Sequence, residues 1–244
     1  MSFAAVVKPI ARILGIATTL LLLTACPQTT RPPAGPEKPA VPAQPAADLR
    51  GATIYEVNPT ASVVHILVYR GGTLARFGHN HVMTVQSLQG RIWSHPTATK
   101  SGFDLTFPVA QMIVDDPAAR QAAGSDFPAE VPQSDRDGTR KNMLRAETLD
   151  AEHYPNITLK SVRSGGTAQQ PQFTARITIR GNSHDVMIAP TIKIEGASLT
   201  ASGEFDIQQT DFGIKPFSAA LGALEVQDKL HIKFNVVAQK KDAG

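Results

Sequence analysis

His79 and His81 are the densest concentration of potential chemistry in this sequence. Two of its seven histidines stand one residue apart in Gly78-His79-Asn80-His81-Val82. They follow Gly71-Gly72, a turn signal, and open a segment that reads as a strand. Alternate residues of a strand share a face, so both imidazoles are expected to look into one cavity. Imidazole can ligate a metal, exchange a proton near neutral pH, or hydrogen-bond a polar group. Together with His153 and His184, the pair could assemble three imidazoles into a zinc ligand set. Alternatively the histidines bond backbone at a cavity mouth or orient a polar head group, and the metal stays open. Asp211 suggests acid–base work, but no nucleophile at a telling spacing accompanies it. Ser183-His184-Asp185 is contiguous, whereas triads assemble from distant positions, so it reads as a strand start after a hairpin. The sequence has no glycine-rich phosphate loop. These residues favour a binding protein over an enzyme, and no catalytic residue is assigned.

The elements that must hold these groups alternate with period two. Val64, Ile66 and Val68 share one face, and Val63, His65, Leu67 and Tyr69 the other, so this strand is apolar on both sides. Phe103, Leu105, Phe107 and Val109 line the next, opposite Asp104 and Thr106. Ile157 and Leu159 continue the pattern, with Ser161 next in line; Phe173, Ala175, Ile177 and Ile179 follow, opposite Thr174, Arg176, Thr178 and Arg180. Leu199, Ala201, Gly203, Phe205 and Ile207 form a further set, and Leu230, Ile232, Phe234 and Val236 the last. Gly181-Asn182 and Gly196-Ala197 stand where hairpins must turn. Eight or nine such strands with few helical patterns predict an all-β fold, an antiparallel barrel of about eight strands. An eight-stranded barrel is either filled by side chains or holds one ligand, and Ala175, Ala201 and Gly203 leave room for a ligand.

Two stretches break the rhythm. In 115–145, Asp116-Pro117 predicts a helix start, a capping carboxylate followed by proline at the first helical position. A second helix is expected over 140–152, with Met143, Leu144 and Leu149 as its apolar stripe, and a polar loop over 124–138. The other break is 208–228, where Phe212, Ile214 and Phe217 indicate that the segment packs on something.

The first 25 residues have the layout of a secretory signal. Lys8 and Arg12 precede an apolar run over 13–23, which is short of the roughly 20 residues a membrane span needs. Leu23-Thr24-Ala25-Cys26 resembles a bacterial lipobox, which implies lipidation of Cys26 by diacylglycerol and a further acyl chain such as palmitate; an ordinary signal peptide is the other reading. Cys26 is the only cysteine, so it has no internal disulfide partner. Residues 26–50 form a Pro-rich linker with prolines at 32, 33, 36, 39, 42 and 45, an extended spacer or else a proline-recognition target. Residues 51–240 are the folded domain. The expected location is the bacterial cell envelope, lipid-anchored and facing the periplasm. Pro27, where an Asp would signal inner-membrane retention, points to the outer membrane. Once Lys8 and Arg12 leave with the signal, 22 basic residues face 21 acidic ones, and no basic stripe interleaves with aromatics, so no nucleic-acid partner is expected.

A series of short motifs then resembles a known family. In order these are His81-Val82; Arg145 with Leu149-Asp150 and Tyr154-Pro155-Asn156-Ile157; the run from Ile177 through Arg180-Gly181-Asn182 to Val186; Asp211-Phe212-Gly213-Ile214; and Val226-Gln227-Asp228-Lys229-Leu230. Together they resemble the YceI-like family of bacterial periplasmic proteins over about residues 51–239. The resemblance implies a lipocalin-like antiparallel barrel around a long apolar pocket, which in some members holds a polyisoprenoid chain such as a quinone tail. The extra histidine at 79 and the long 115–138 loop depart from the pattern. On this reading the ligand is an isoprenoid lipid or quinone. Phe103, Leu105, Phe107, Phe173 and Ile177 would line its tail, with Phe205 and Phe234. Met143, Phe212 and Phe217 would also contact the ligand, and His79, His81 and His184 would sit near the head group. The membrane partner would be reached through the lipid anchor, and a homodimer is left open. Two alternatives remain: a metal-dependent or redox enzyme using the His79/His81 pair, and a structural or stress-related envelope protein with no essential ligand.

Overall fold

The computed structural model describes residues 48–128, 130–167 and 170–241. The signal, Cys26 and the linker up to residue 47 lie outside them. Among the described residues the chain runs β1 (Thr53–Val57), β2 (Val63–Gly71), β3 (His81–Thr84), β4 (Gln89–Ser94), β5 (Gly102–Pro108), β6 (Ile113–Val114), α1 (Pro117–Ala123), α2 (Gln133–Leu144), β7 (Asn156–Gly166), β8 (Pro171–Ile179), β9 (Asn182–Ile188), β10 (Thr191–Glu195), β11 (Ser198–Gln208), β12 (Ser218–Ala219) and β13 (Leu224–Lys240). The period-two pattern is the cause of the strands: along β8, Phe173, Ala175, Ile177 and Ile179 are all buried while Gln172 is exposed.

Every pairing is antiparallel, and the ladder runs β6-β3-β2-β13-β1-β4-β5-β7-β8-β9, with β10-β11 attached to β13. The expected barrel of about eight strands is therefore corrected in two respects: among the described residues there are thirteen strands, and their hydrogen-bonded ladder is open between β9 and β11. The count rises because β6 and β12 are two-residue bridges and because one bent strand is divided in two. Only Ala189 and Pro190 separate β9, which pairs with β8, from β10, which pairs with β11. Proline has no N–H to continue a ladder, so the pairing breaks there although the chain does not.

β13 is the common member. β11 runs along one edge of its residues 229–239, while on the other edge β2 pairs over 225–235 and β1 over 238–240. Hairpin chemistry matches the sequence: Arg180 and Gly181, at φ 51° and 69°, form the β8–β9 turn, and Gly196, at φ 58°, begins the β10–β11 turn. Gly90 in β4 has φ 130°, and a Cβ there would lie 2.1 Å from the Asp104 carbonyl oxygen, so only glycine lets β4 and β5 approach.

β2 is apolar on both faces because both are covered. Val64, Ile66 and Val68 join the main core, and Leu67 packs with Val82, Ala119 and Phe127 in a second cluster under α1, where Tyr69 meets Phe127 edge-on at 5.3 Å. Asp116 caps α1 as its sequence predicts, accepting from the Ala119 N–H at 3.0 Å. The second helix does not span 140–152; it occupies Gln133–Leu144, so part of the expected polar loop is helical. The Gln133 amide reaches Asp137 at 2.8 Å across one turn, and Arg140 donates to the Met112 carbonyl at 2.8 Å, tying the helix to the strand below. Arg145 leaves the helix in extended conformation, and the Leu149 N–H folds back to the Met143 carbonyl at 3.1 Å. Leu149 still reaches the core from this turn.

Candidate ligand cavity

Inside the curved sheet lie two cavities. The first, about 100 Å³, is lined only by apolar residues, among them Phe103, Leu105 and Phe107 of β5, Leu159 of β7, Phe173 of β8, Ala201 and Phe205 of β11, and Ile232, Phe234 and Val236 of β13. Its aromatic rings pack edge-on, Phe103 against Phe173 at 5.6 Å and Phe205 against Phe234 at 6.1 Å. The second, about 200 Å³, is walled by Ile66, Val68, Met83, Ile157, Ile179, Ile207 and Leu230 of the sheet. Met143 of α2, the turn residue Leu149, and Phe212, Ile214 and Phe217 of the segment after β11 add to its apolar wall, as do Met112 and Val226. Five polar side chains join this lining: His81, Thr139, Asn142, Thr148 and Gln209.

The two spaces are successive along the same strands. Val64 of β2 faces the first and Ile66 the second; the same step separates Leu159 from Ile157, Phe205 from Ile207, and Ile232 from Leu230. Because i and i+2 point the same way in a strand, one inward surface runs from a dry end to an end with hydrogen-bonding groups. Such a surface suits a molecule with an apolar tail and a small polar head.

Of the residues picked out from sequence, Phe103, Leu105, Phe107, Phe173, Phe205 and Phe234 come together around the first cavity. His81, Met143, Phe212 and Phe217 come together around the second. Ile177 is buried core and lines neither. Phe217 is covered by Arg145, whose guanidinium lies 5.5 Å from the ring centroid. His79 and His81 do not share a cavity. His79 precedes β3 rather than belonging to it, so strand alternation does not apply; its side chain is 41 % exposed and lies 3.9 Å from Asp135. The two rings still meet edge-on at 6.3 Å. His184 lies outside both cavities, 3.6 Å from Asp211 and edge-on to Phe212. His153 is paired with Asp150 at 2.8 Å. Among the described residues no three His, Cys, Asp or Glu side chains gather as a metal ligand set.

The side chains that sequence reasoning missed are Asp115 and Arg120. The Asp115 carboxylate has no solvent exposure; one oxygen is 2.6 Å from His81 Nδ1, and the other accepts from the Val82 N–H at 2.9 Å and from Arg120 Nη1 at 2.5 Å. Arg120 is equally buried and also donates to the carbonyls of Asn80 and Pro128, at 2.7 and 2.6 Å. Asp115 sits at φ 55°, a costly conformation for a residue other than glycine, while its N–H bonds the Val82 carbonyl at 2.8 Å. The only signal in the sequence was an arginine in an alanine-rich turn five residues after Asp115.

Burial pushes the Asp115 carboxyl up, but the hydrogen bonds from His81 and the Val82 N–H, aided by Arg120, outweigh it, and the net displacement is downward. Asp185 is lowered by the hydrogen bond from Arg176, and Asp206 by that from His231. Burial lowers His65. In each case the folded value lies below the unfolded one. The stability gained is therefore complete above the unfolded value and is lost as pH falls through the folded value. For His65 the loss begins below about pH 6.5, and for the carboxylates below about pH 4. His153, raised by Asp150, acts in the opposite sense, but it is fully exposed and contributes little. The melting temperature should therefore fall gently from pH 7 to 5 and steeply below 4. Calorimetry across that range checks it, and a melting temperature that rises on acidification contradicts it.

Comparison with known proteins follows the same lines. No curated protein sequence matches. Among solved structures, Burkholderia cenocepacia BcnA is similar with TM-score 0.55 and 18 % identity, over 75 % of this chain and 99 % of that one. A polyisoprenoid binding domain from Saccharophagus degradans, implicated in plant cell wall breakdown, is similar with TM-score 0.51 and 11 % identity, over 77 % and 98 %. At these identities the likeness is one of fold, and it agrees with the mostly antiparallel, lipocalin-like sheet. The family model of the YceI-like domain matches residues 55–238, nearly the whole described chain, and on that match the chain belongs to the YceI-like family.

Proposed function

We propose that this protein binds an amphiphilic isoprenoid, a quinone or polyprenol type of molecule, with the tail among Phe103, Phe173, Phe205 and Phe234 and the head near His81. The observation that carries the reading is the change of lining along one surface, from purely apolar side chains to a wall that includes His81, Thr139, Asn142, Thr148 and Gln209. An isoprenoid tail offers no hydrogen bonds and is excluded from water, which suits the dry end. The similar fold of a domain described as polyisoprenoid binding adds support.

The test is native mass spectrometry of the purified protein, with organic extraction of whatever it carries. A co-purifying prenyl lipid is expected. Ala201, at the wall of the dry cavity, gives the control. Ala201→Phe should fill the space and cut affinity for a long-chain prenol by about tenfold or more, at an overpacking cost of ~1–3 kcal/mol. A protein that is always empty and has no affinity for prenols or quinones would sink the reading.

The proposal includes the location read from sequence: an envelope lipoprotein acylated at Cys26, held at the outer membrane by a proline-rich tether. Its support is the lipobox-like Leu23-Thr24-Ala25-Cys26 and the absence of any second cysteine. Mass spectrometry of the mature N-terminal peptide decides it. An acylated Cys26 at the N-terminus is expected, and any other N-terminal residue, or an unmodified Cys26, rules the anchor out.

A further inference from the structure

We propose that His81, oriented by the buried Asp115–Arg120 pair, selects ligands whose polar head donates a hydrogen bond: free alcohols and hydroquinones in preference to ethers and quinones. This rests on the reading of the cavity as an amphiphile site and adds to it the chemistry of the head.

The argument begins at Asp115. Its carboxylate is ionised and accepts only, so the 2.6 Å contact from His81 Nδ1 requires the proton to be on that nitrogen. The negative charge is already balanced by Arg120, itself buried, at 2.5 Å. Asp115 therefore fixes a proton on Nδ1. In the neutral ring the proton on Nδ1 leaves a bare lone pair at Nε2, an acceptor. Among the described residues Nε2 has no hydrogen-bond partner, and the ring lines the second cavity beside Met83, Met112 and Phe212. The His81 side chain keeps 14 % of its surface exposed, so a ligand that shuts water out leaves this acceptor unsatisfied if its head only accepts and satisfies it if its head donates.

The ring is also held still. Asp115 is fixed by the Val82 N–H, by Arg120 and by its own N–H to Val82, and Arg120 is fixed by two further carbonyls. The other polar groups of this cavity lack such a frame. Gln209 commits one amide N–H to the Gln227 carbonyl at 2.9 Å, while Thr139 and Asn142 come from α2 and Thr148 from the turn after it. A site discriminates through hydrogen bonds whose donor or acceptor cannot turn away. His81 meets that condition, with Asp115 and Arg120 as positioning residues.

The test compares two probes with one tail: geranylgeraniol, which can donate, and geranylgeranyl methyl ether, which cannot. Wild-type protein is expected to bind the alcohol about three- to tenfold more tightly, the value of one buried hydrogen bond. His81→Leu should remove the preference, bringing the alcohol's affinity down to that of the ether. His81→Gln, which can again present an acceptor, should restore part of the preference, and a purely structural role for His81 would not produce that rescue. Asp115→Asn gives a second reading where the protein folds, since an amide can donate to Nδ1 and move the proton to Nε2; the preference should then shift toward the ether. Equal affinities in the wild type, or a preference that survives in His81→Leu, overturn the assignment to His81 and leave the amphiphile reading standing. Failure of wild-type protein to bind either probe overturns both.

Discussion

Replacing Arg120 with methionine is expected to lower the unfolding free energy by about 3–5 kcal/mol, the usual result of stranding one member of a buried ion pair. Methionine nearly preserves the volume but leaves the Asp115 carboxylate, which has no solvent exposure, with only His81 and the Val82 N–H. The carbonyls of Asn80 and Pro128 lose their donor as well. Urea denaturation should show an earlier midpoint with an unchanged slope, because the surface exposed on unfolding is the same. The loss belongs to the stranded charge rather than to the pair itself. Adding Asp115→Asn to the methionine variant removes that charge and should recover much of the stability. A double variant no more stable than the single one contradicts this account.

Ile232→Pro is expected to be more damaging still and to abolish the folded state. Ile232 is buried in β13, opposite Ile66 of β2 on one edge and Phe205 of β11 on the other. Proline there deletes a ladder hydrogen bond and collides with neighbouring backbone, a cost of about 3 kcal/mol or more before packing is counted. The side chain also leaves the wall of the dry cavity. Lys193→Pro on β10, which pairs with β11 alone, is the control and should be much milder. Circular dichroism distinguishes the two. A folded, soluble Ile232→Pro protein would show that β13 is not the member on which the sheet depends.

Much of this sheet was legible in the sequence because a half-buried strand writes its alternation directly into residue order. The faces Phe103/Leu105/Phe107, Phe173 through Ile179 and Leu230 through Val236 needed nothing else, and their phenylalanines duly meet around one cavity. Local chemistry was equally readable at Asp116-Pro117 and at the Gly181 and Gly196 turns. α2 was misplaced because its polar face dominates. Only Met143 is buried along it, and Pro132 caps it without a side-chain hydrogen bond, so the usual start signal is missing. Strand alternation also misled at His79, which lies before the strand begins. The Asp115–Arg120 pair was illegible for another reason: its meaning lies in contacts 33 to 40 residues away, with His81, Val82 and Asn80, and spacing along the chain carries no trace of them.

The long C-terminal strand has a consequence for how the molecule comes into being. β13 pairs with β1, β2, β11 and β12, all of which precede it in the chain, and Tyr55 sits opposite Lys240. A ribosome must therefore make nearly the whole domain before its central seam can zip. Closing such distant contacts ahead of any reward makes folding slow, in the range of milliseconds to seconds for topologies of this kind. During synthesis the earlier hairpins have only one another, and β2 and β11 each present a bare edge. The nascent chain is thus kept open to chaperones for as long as its last strand is unmade, and a chain cut short before Leu224 is left with the β1-β4-β5-β7-β8-β9 ladder alone, its β2–β3 and β10–β11 hairpins unattached.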